Sequence, residues 1–144
     1  MRSKLTTAGY WTTTGLVSAA CILGGAVDVA HSPDTVAFLA RIGYPAYFAV
    51  LIGTWKVLGG AAILAPRLPR LKEWAYAGIF FDLTGAAFSH AMSSDGAHVP
   101  FPLVLTAILL ASWALRPASR KLSGAEAEAG QERRFAASVR KATA

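Results

Sequence analysis

Four ionisable side chains lie within or beside long apolar runs of the sequence, where a charged group is unusual. Lys56 and Asp82 each interrupt such a run, Asp28 lies near the end of another, and His90 follows Asp82 by eight positions. A charge at the centre of a bilayer costs about 3 kcal/mol or more, so such groups usually face a protein interior and have partners. These groups could fasten helices together, bind the polar head of a ligand or relay protons.

Lys56 and Asp82 match each other in depth. Asp82 follows Trp74 by eight positions, and Lys56 precedes Leu64 by eight. At about 1.5 Å per helical residue, both lie about 12 Å from the same membrane surface. The spacing predicts a Lys56–Asp82 ion pair between consecutive antiparallel helices, with Asp28 and His90 both near the opposite surface.

One face of the helix around Asp82 is small and polar. Its members share the i, i+3, i+4, i+7 and i+8 spacing and are Asp82, Gly85, Ala86, Ser89 and His90. We predict that this face points inward, with Ile79, Phe80 and Leu83 largely off it.

Two interpretations of the polar cluster of Lys56, Asp82, Ser89, His90 and Asp28 remain open. In the first, the Lys56–Asp82 pair fastens two helices, and Asp28 and His90 are solvated at the rim. In the second, the cluster lines a polar cavity, open to the outside, that binds a head group or relays protons.

No metal site is predicted. His31, His90 and His98 could all lie on the outer side, but no two have the i, i+4 spacing of a helical ligand pair. Cys21 is the only cysteine, so no disulfide or Cys-x-x-Cys pair can form within one chain. We expect Cys21 to be a small packing residue.

The elements that must position these residues are apolar helices. Of the 144 residues, 54% are hydrophobic and 15% are charged, whereas soluble domains average about 45–50% apolar and about 25% charged. Runs that approach or reach the bilayer length of about 20 residues cover roughly residues 10–29, 44–64, 74–92 and 101–115. They predict an all-α fold, a transmembrane four-helix bundle, with a short interfacial helix between spans one and two.

The predicted organisation is a cytoplasmic N-terminus (1–9), a transmembrane domain (10–115) and a basic tail (116–144). The tail is too polar to bury a core, so we expect it to be disordered or to form part of a surface helix. A cleaved secretory signal is the competing interpretation of the first run. The apolar run continues through Gly24 to Val27, which favours a retained span.

Basic residues predict the orientation and account for the net charge of +6. Of the 14 Lys and Arg residues, twelve lie in the N-terminus, the turn at 67–73 and the tail, while Arg41 and Lys56 are the other two. The positive-inside rule then places both termini in the cytoplasm of a multi-pass inner-membrane protein. No nucleic-acid partner is expected, since topology explains the charge.

Two segments resemble the DoxX-like family of small four-span bacterial membrane proteins. They are GYPAYFAVLIGTWKVLGGAAIL (43–64) and, after a basic turn, WAYAGIFFDLTGAAFSHAM (74–92). The resemblance covers about residues 10–115 and implies a four-helix fold. It also implies that Lys56, Asp82 and His90 match recurrent polar positions of the family, with Asp28 fitting less specifically. The dithiol chemistry of more distant relatives would need cysteines that this chain lacks.

The family name derives from a subunit associated with quinol oxidase and thiosulfate:quinone oxidoreductase activity. The resemblance therefore implies binding of a quinone or other small lipophilic ligand, or a role as a subunit of a quinone-linked oxidoreductase rather than as an enzyme on its own. The alternatives are a non-catalytic membrane partner or assembly factor and a small transporter, which would need to oligomerise. The expected partners are the lipid bilayer and either a membrane redox protein or further copies of the chain.

Overall fold

The computed structural model describes residues 2–121 together with residues 130, 131, 133, 134 and 139. In this part of the chain there are five α-helices and no strand: α1 (Arg2–Val29), α2 (Pro33–Arg41), α3 (Tyr47–Leu64), α4 (Pro69–Met92) and α5 (Pro100–Ala114). Two short 3-10 turns follow α4 and α5, at Gly96–His98 and Ala118–Arg120. The prediction of an all-helical fold is confirmed. The predictions for the tail beyond Lys121 lie almost wholly outside the described residues.

Three stretches are long and apolar enough to cross a membrane among the residues that the structure describes. They are Lys4–Val29, Tyr47–Leu64 and Gly96–Ala114. The helix α4 has 24 residues, which gives a length of about 36 Å. It is not among these three stretches, since it carries Arg70, Lys72 and Glu73 in its first turns and Asp82 and His90 further along.

The four long helices contact one another in a ring, in which α1 and α4 each touch both α3 and α5. Between them lies an apolar core that includes Val17, Ile63, Ile79 and Leu109. Their outer faces carry large exposed apolar side chains: Leu23, Trp55, Phe81, Phe88 and Phe101. Such extensive apolar exposure is typical of a surface that lipid covers.

Small residues bring α1 and α3 together. A Cβ atom built on Gly25 would lie 2.5 Å from the carbonyl oxygen of Gly53, so neither position has room for a side chain. Further along the same contact, Ser18 Oγ donates a hydrogen bond of 2.8 Å to the Gly60 carbonyl. The backbones of α1 and α3 therefore meet directly, as helices in membranes commonly do.

The short helix α2 lies at the end of the molecule where α1 and α4 end and α3 and α5 begin, here called the α2 end. Ser32 caps it by accepting a hydrogen bond from the Thr35 backbone amide at 3.2 Å, and Pro33 occupies its first turn. Gly43, with φ of 85°, then turns the chain toward α3. The predicted short helix between the first two apolar runs is confirmed as a helix.

The predicted inward face of α4 is wrong. The buried residues of α4 are Lys72, Tyr76, Ile79, Leu83 and Ala87. Gly85 is exposed, and Asp82 and Ser89 are only half-buried. The prediction assumed that polar groups occupy the centre of the bundle, but large apolar side chains fill it and the polar stripe lies at its edge.

Candidate functional site

Lys56 pairs with Asp28. Its Nζ lies 2.9 Å from Asp28 Oδ2, and the two side chains are 26% and 12% exposed. The other carboxylate oxygen, Oδ1, accepts a hydrogen bond of 3.0 Å from Thr35 Oγ1 of α2. Asp28 thus joins the end of α1 to both α3 and α2.

The predicted Lys56–Asp82 ion pair is therefore replaced by Lys56–Asp28. The depth comparison considered only the consecutive helices α3 and α4. The glycine contact brings α1 closer to α3, because Gly25 and Gly53 meet one turn away from Asp28 and Lys56. A lysine side chain can also extend along the helix toward the membrane surface, which brings its ammonium to the end of α1.

Asp82 remains electrostatically coupled to this pair. The charged groups that act on its carboxyl are Lys56, which attracts it, and Asp28, which repels it. Asp82 makes no ion pair within 4 Å with any residue that the structure describes. The Lys56 ammonium therefore attracts two carboxylates, but it forms an ion pair only with that of Asp28. We call Lys56, Asp28, Thr35 and Asp82 the lysine cluster.

The ammonium of Lys56 lies against a glycine of α1. Gly24 of α1 presents no side chain to Lys56, and a Cβ built there would lie 3.6 Å from Nζ. Cys21, one turn further along α1, is buried in the apolar core, which confirms its predicted packing role. The ammonium thus lies between Gly24 and the Asp28 carboxylate.

His90 belongs to a different cluster at the α2 end. Its Nδ1 lies 3.0 Å from Asp95 Oδ2, and His98 Nδ1 lies 2.6 Å from Asp95 Oδ1. Arg41 Nη2 donates to Asp95 Oδ2 at 2.9 Å. Hydrogen bonds from His98, His90 and Arg41 hold the pKa of Asp95 well below its usual range, the His98 bond having the largest effect. We call His90, Asp95 and His98 the histidine cluster.

The sequence analysis missed Asp95 and set His98 aside as a ligand, because it compared the histidines only by helical spacing. The ligand-type atoms of His90, Asp95 and His98 all lie within 4.8 Å of one another. The connection between α4 and α5 brings them together through a turn in which Ser94 has φ of 58°. The sequence does contain a signal for this cluster: an aspartate and two histidines lie within nine residues, with Gly96 between Asp95 and His98.

Buried hydroxyls form a third polar group, near the opposite end of the bundle. Ser112 Oγ lies 2.6 Å from Thr14 Oγ1 and 2.7 Å from Tyr76 Oη. These hydrogen bonds link α1, α4 and α5 and satisfy hydroxyls that would otherwise be costly to bury. The sequence analysis did not identify this network, because single Ser, Thr and Tyr residues in apolar runs have no distinctive spacing.

Basic side chains cover the helix ends beside this network. Arg116 Nη1 lies 2.8 Å from Glu73 Oε1, and the Arg120 guanidinium lies 4.5 Å from the ring centre of Trp11. Burial raises the pKa of Glu73, but hydrogen bonds from Arg116 and Trp113 outweigh it and leave that pKa below its usual value. The first residues of the predicted tail thus pack against the helices.

The side chain of Lys72 caps the C-terminal end of α3 by donating hydrogen bonds to backbone carbonyl oxygens of its last turn. It is 1% exposed, and its Nζ donates to the Ile63 carbonyl at 2.6 Å. Burial, with added repulsion from Arg120 and Arg116, lowers the pKa of Lys72 to about 8. A cation at a helix C-terminus also interacts favourably with the helix dipole.

The five predicted site residues thus do not form one site in the structure. Lys56, Asp28 and Asp82 lie in or beside the lysine cluster, whereas His90 lies in the histidine cluster. Ser89 is half-buried on α4, and its side chain makes no hydrogen bond with either cluster in the described part of the chain. Of these groups, the lysine cluster is the candidate site for a ligand within the membrane.

Comparison with known proteins identifies the family. The model of the DoxX-like family matches residues 12–112, which include all five helices in whole or in part and both charged clusters. Searches of curated proteins and of solved structures found no significant match. Since the family model covers well over half of the chain, the protein belongs to the DoxX-like family.

Proposed function

We propose that this protein is a four-span inner-membrane protein that binds a quinone, or a similar small lipophilic molecule, at the lysine cluster. The observation that carries the proposal is the excess of carboxylates over cations there. Asp28 takes the direct contact with Lys56 at 2.9 Å, and Asp82 has no ion-pair partner among the described residues. An ion pair that only holds two helices together needs one carboxylate, which Asp28 supplies. The Asp82 carboxylate is therefore available to bind a ligand.

The chemistry of the cluster suits a quinone head group in both redox states. An ammonium has three N–H donors, and only one of them is needed for Asp28. A remaining donor can bind a quinone carbonyl oxygen. The Asp82 carboxylate can accept a hydrogen bond from the hydroxyl of the reduced quinol. A carboxylate and an ammonium within membrane-spanning helices are expensive, and a functional role is the usual reason that such groups are kept.

A lipophilic tail also has a place to lie. Trp55 adjoins Lys56 and is 64% exposed, and Phe81 adjoins Asp82 and is 70% exposed. Both side chains therefore belong to the apolar outer surface of the helices. A molecule whose head reaches the lysine cluster can keep its tail on that surface, in contact with lipid.

Four spans follow if α4 crosses the membrane beside α3 and α5. Its length of about 36 Å exceeds the hydrocarbon thickness of about 30 Å. Its exposed faces carry Phe81 and Phe88, as do the apolar faces of the other long helices. With four spans, the basic N-terminus, the basic segment 67–73, which includes the first turn of α4, and the tail all lie in the cytoplasm.

The test is a titration of the purified full chain in detergent with a quinone that has a short alkyl tail. We expect the melting temperature to rise with quinone concentration, because a ligand at about 100 times its Kd stabilises the folded state by about 2.7 kcal/mol. In a parallel titration with the reduced quinol, Asp82→Asn should weaken binding at least about tenfold, or about 1.4 kcal/mol, because it removes the carboxylate that accepts the hydrogen bond of the quinol hydroxyl. Asp34→Asn is the matched control, since Asp34 is an exposed aspartate on α2, and it should bind as the unmodified chain does.

A chain that shows no quinone-dependent shift, or an Asp82→Asn variant that binds the quinol with unchanged affinity, contradicts the proposal. In that case the cluster is structural, and the role of a non-catalytic membrane partner or assembly factor becomes the better hypothesis. Purification from membranes with one stoichiometric partner would then support that alternative.

A further inference from the structure

We propose that His90, Asp95 and His98 form a binding site for one divalent transition-metal ion of the Zn²⁺ type at the α2 end. This site is separate from the lysine cluster and does not depend on the proposed quinone binding. The spacing of the histidines alone predicted no metal site. The proposed site differs because its third ligand is an aspartate that lies between the two histidines in the sequence.

The three side chains already converge on one point. Their ligand-type atoms lie within 4.8 Å of one another, and the carboxylate oxygens are 3.0 Å and 2.6 Å from the two imidazole nitrogens. Atoms bound to one tetrahedral Zn²⁺ at about 2.0–2.1 Å lie about 3.4 Å apart. Small side-chain rotations would therefore bring all three atoms into the coordination sphere and replace the two hydrogen bonds.

The backbone holds this arrangement in a short, closed segment. His90 lies in the last turn of α4, and the Asp95 amide donates back to the His90 carbonyl at 3.0 Å. The His98 amide donates to the Asp95 carbonyl at 3.1 Å within the 3-10 turn. Three ligands supplied by nine residues lose little chain entropy on binding, because the connection is already ordered.

The helix α2 supports the cluster from outside. The ring of Phe38 stacks on His90, with centroids 4.3 Å apart. Arg41 donates to Asp95 Oδ2 and leaves Oδ1 available once His98 turns from it toward a metal. A hydrogen-bonded carboxylate ligand is the usual arrangement around a protein metal ion, where outer partners fix the orientation of the ligands.

Arg41 also sets the charge of the site. One arginine and one aspartate leave it neutral when both imidazoles are neutral. Neutral sites made of three histidines hold Zn²⁺ in enzymes, so neutrality is compatible with binding. Two imidazoles and one carboxylate favour zinc and its transition-metal neighbours over Ca²⁺ and Mg²⁺, which prefer oxygen ligands. Three protein ligands leave a further position for water.

The experiment titrates the purified full chain, without a polyhistidine tag, with Co²⁺ and then with Zn²⁺. We expect one Co²⁺ per chain, with the intensified visible absorption of a low-coordinate site, and its displacement by Zn²⁺. His98→Ala and Asp95→Asn should each weaken Co²⁺ binding at least about tenfold. The side chain of His98 is 69% exposed, so the His98→Ala chain should still fold without metal, and the loss of one exposed hydrogen bond to Asp95 should lower its melting temperature only slightly.

His31→Ala is the matched control, because His31 is exposed and lies outside the cluster. It should bind Co²⁺ with the affinity of the unmodified chain. The proposal is overturned if Co²⁺ gives no such absorption at millimolar concentration. It is equally overturned if His98→Ala binds as the unmodified chain does, or if His31→Ala weakens binding as much as His98→Ala does.

Discussion

Lys56 is the residue on which the charged interior depends, because its ammonium is the cation that contacts Asp28 and also acts on Asp82. Its side chain reaches α1 across a contact made by two glycines. A lysine whose ammonium is held by a carboxylate avoids most of the cost of an isolated charge. The same lysine can therefore stabilise the bundle and retain hydrogen-bond donors for a ligand.

Replacing both members of the Lys56–Asp28 pair tests this contact. We expect Lys56→Met and Asp28→Leu each to destabilise the chain in detergent by about 1–3 kcal/mol, because each leaves a partly buried charge without its partner. The double variant should recover part of the loss, with a coupling of about 0.5–3 kcal/mol in unfolding measurements. A second cycle with Asp82→Leu should show a smaller coupling to Lys56. Strictly additive losses for Lys56 and Asp28 would contradict the ion pair.

At this scale the sequence singled out Lys56, Asp28, Asp82 and His90 as candidate residues but did not predict how they pair. Depth along α3 and α4 gave Lys56 the wrong partner, since it says nothing about how closely α1 approaches. That approach depends on Gly25 and Gly53 lying against each other, which is a tertiary contact. The joining of His90 with Asp95 and His98 could not be predicted either, because it depends on a turn rather than on a helical repeat.

Among the elements, α1 and α3 form the closest pair, and it is this contact that positions the lysine cluster. The positions of the helices were predictable, because apolar length, prolines and capping residues mark their ends. The orientation of α4 about its axis was not. Tyr76, Ile79, Leu83 and Ala87 face inward, since Tyr76 reaches Ser112 and the larger apolar side chains fill the core.

Adding one methyl group at the α1–α3 contact tests its closeness. We expect Gly25→Ala to destabilise the chain by about 1–3 kcal/mol, because the new Cβ would lie 2.5 Å from the Gly53 carbonyl oxygen and the helices must separate. Gly15→Ala is the control on the same helix, where nothing lies within 4 Å. It should be neutral or should stabilise by up to about 1 kcal/mol, through helix propensity. Equal effects of the two changes on thermal unfolding would contradict the close contact.

The whole molecule has an apolar outer surface. Its polar groups lie inside the bundle, in the lysine cluster and the hydroxyl network, and at both ends of the bundle. Arg116, Arg120 and Lys72 cover one end, and the histidine cluster with α2 covers the other. Membership of the DoxX-like family agrees with this membrane architecture. How often the chain crosses the bilayer depends on α4, the long helix that is not among the three apolar stretches of bilayer length.

Reporter fusions measure the number of crossings. We expect alkaline phosphatase to be active when fused in the connection 93–98, and green fluorescent protein to fluoresce when fused at the C-terminus. Four spans place that connection outside and both termini inside. If α4 does not cross, the two results exchange, because the connection then lies in the cytoplasm and α5 carries the C-terminus outside. Fusions in the turn at 65–68 serve as the cytoplasmic control in both cases.

The central claim is that Asp82 contacts the reduced head group of a quinone rather than serving only as structure, and infrared difference spectroscopy tests it most directly. The quinol is added to the full chain in lipid under reducing conditions, and the change in the carboxyl absorption bands is recorded for the unmodified chain, Asp82→Asn and Asp34→Asn. We predict a quinol-induced change that persists in Asp34→Asn and disappears in Asp82→Asn. A spectrum in which the quinol changes no carboxyl band, or changes it equally in Asp82→Asn, would contradict the claim.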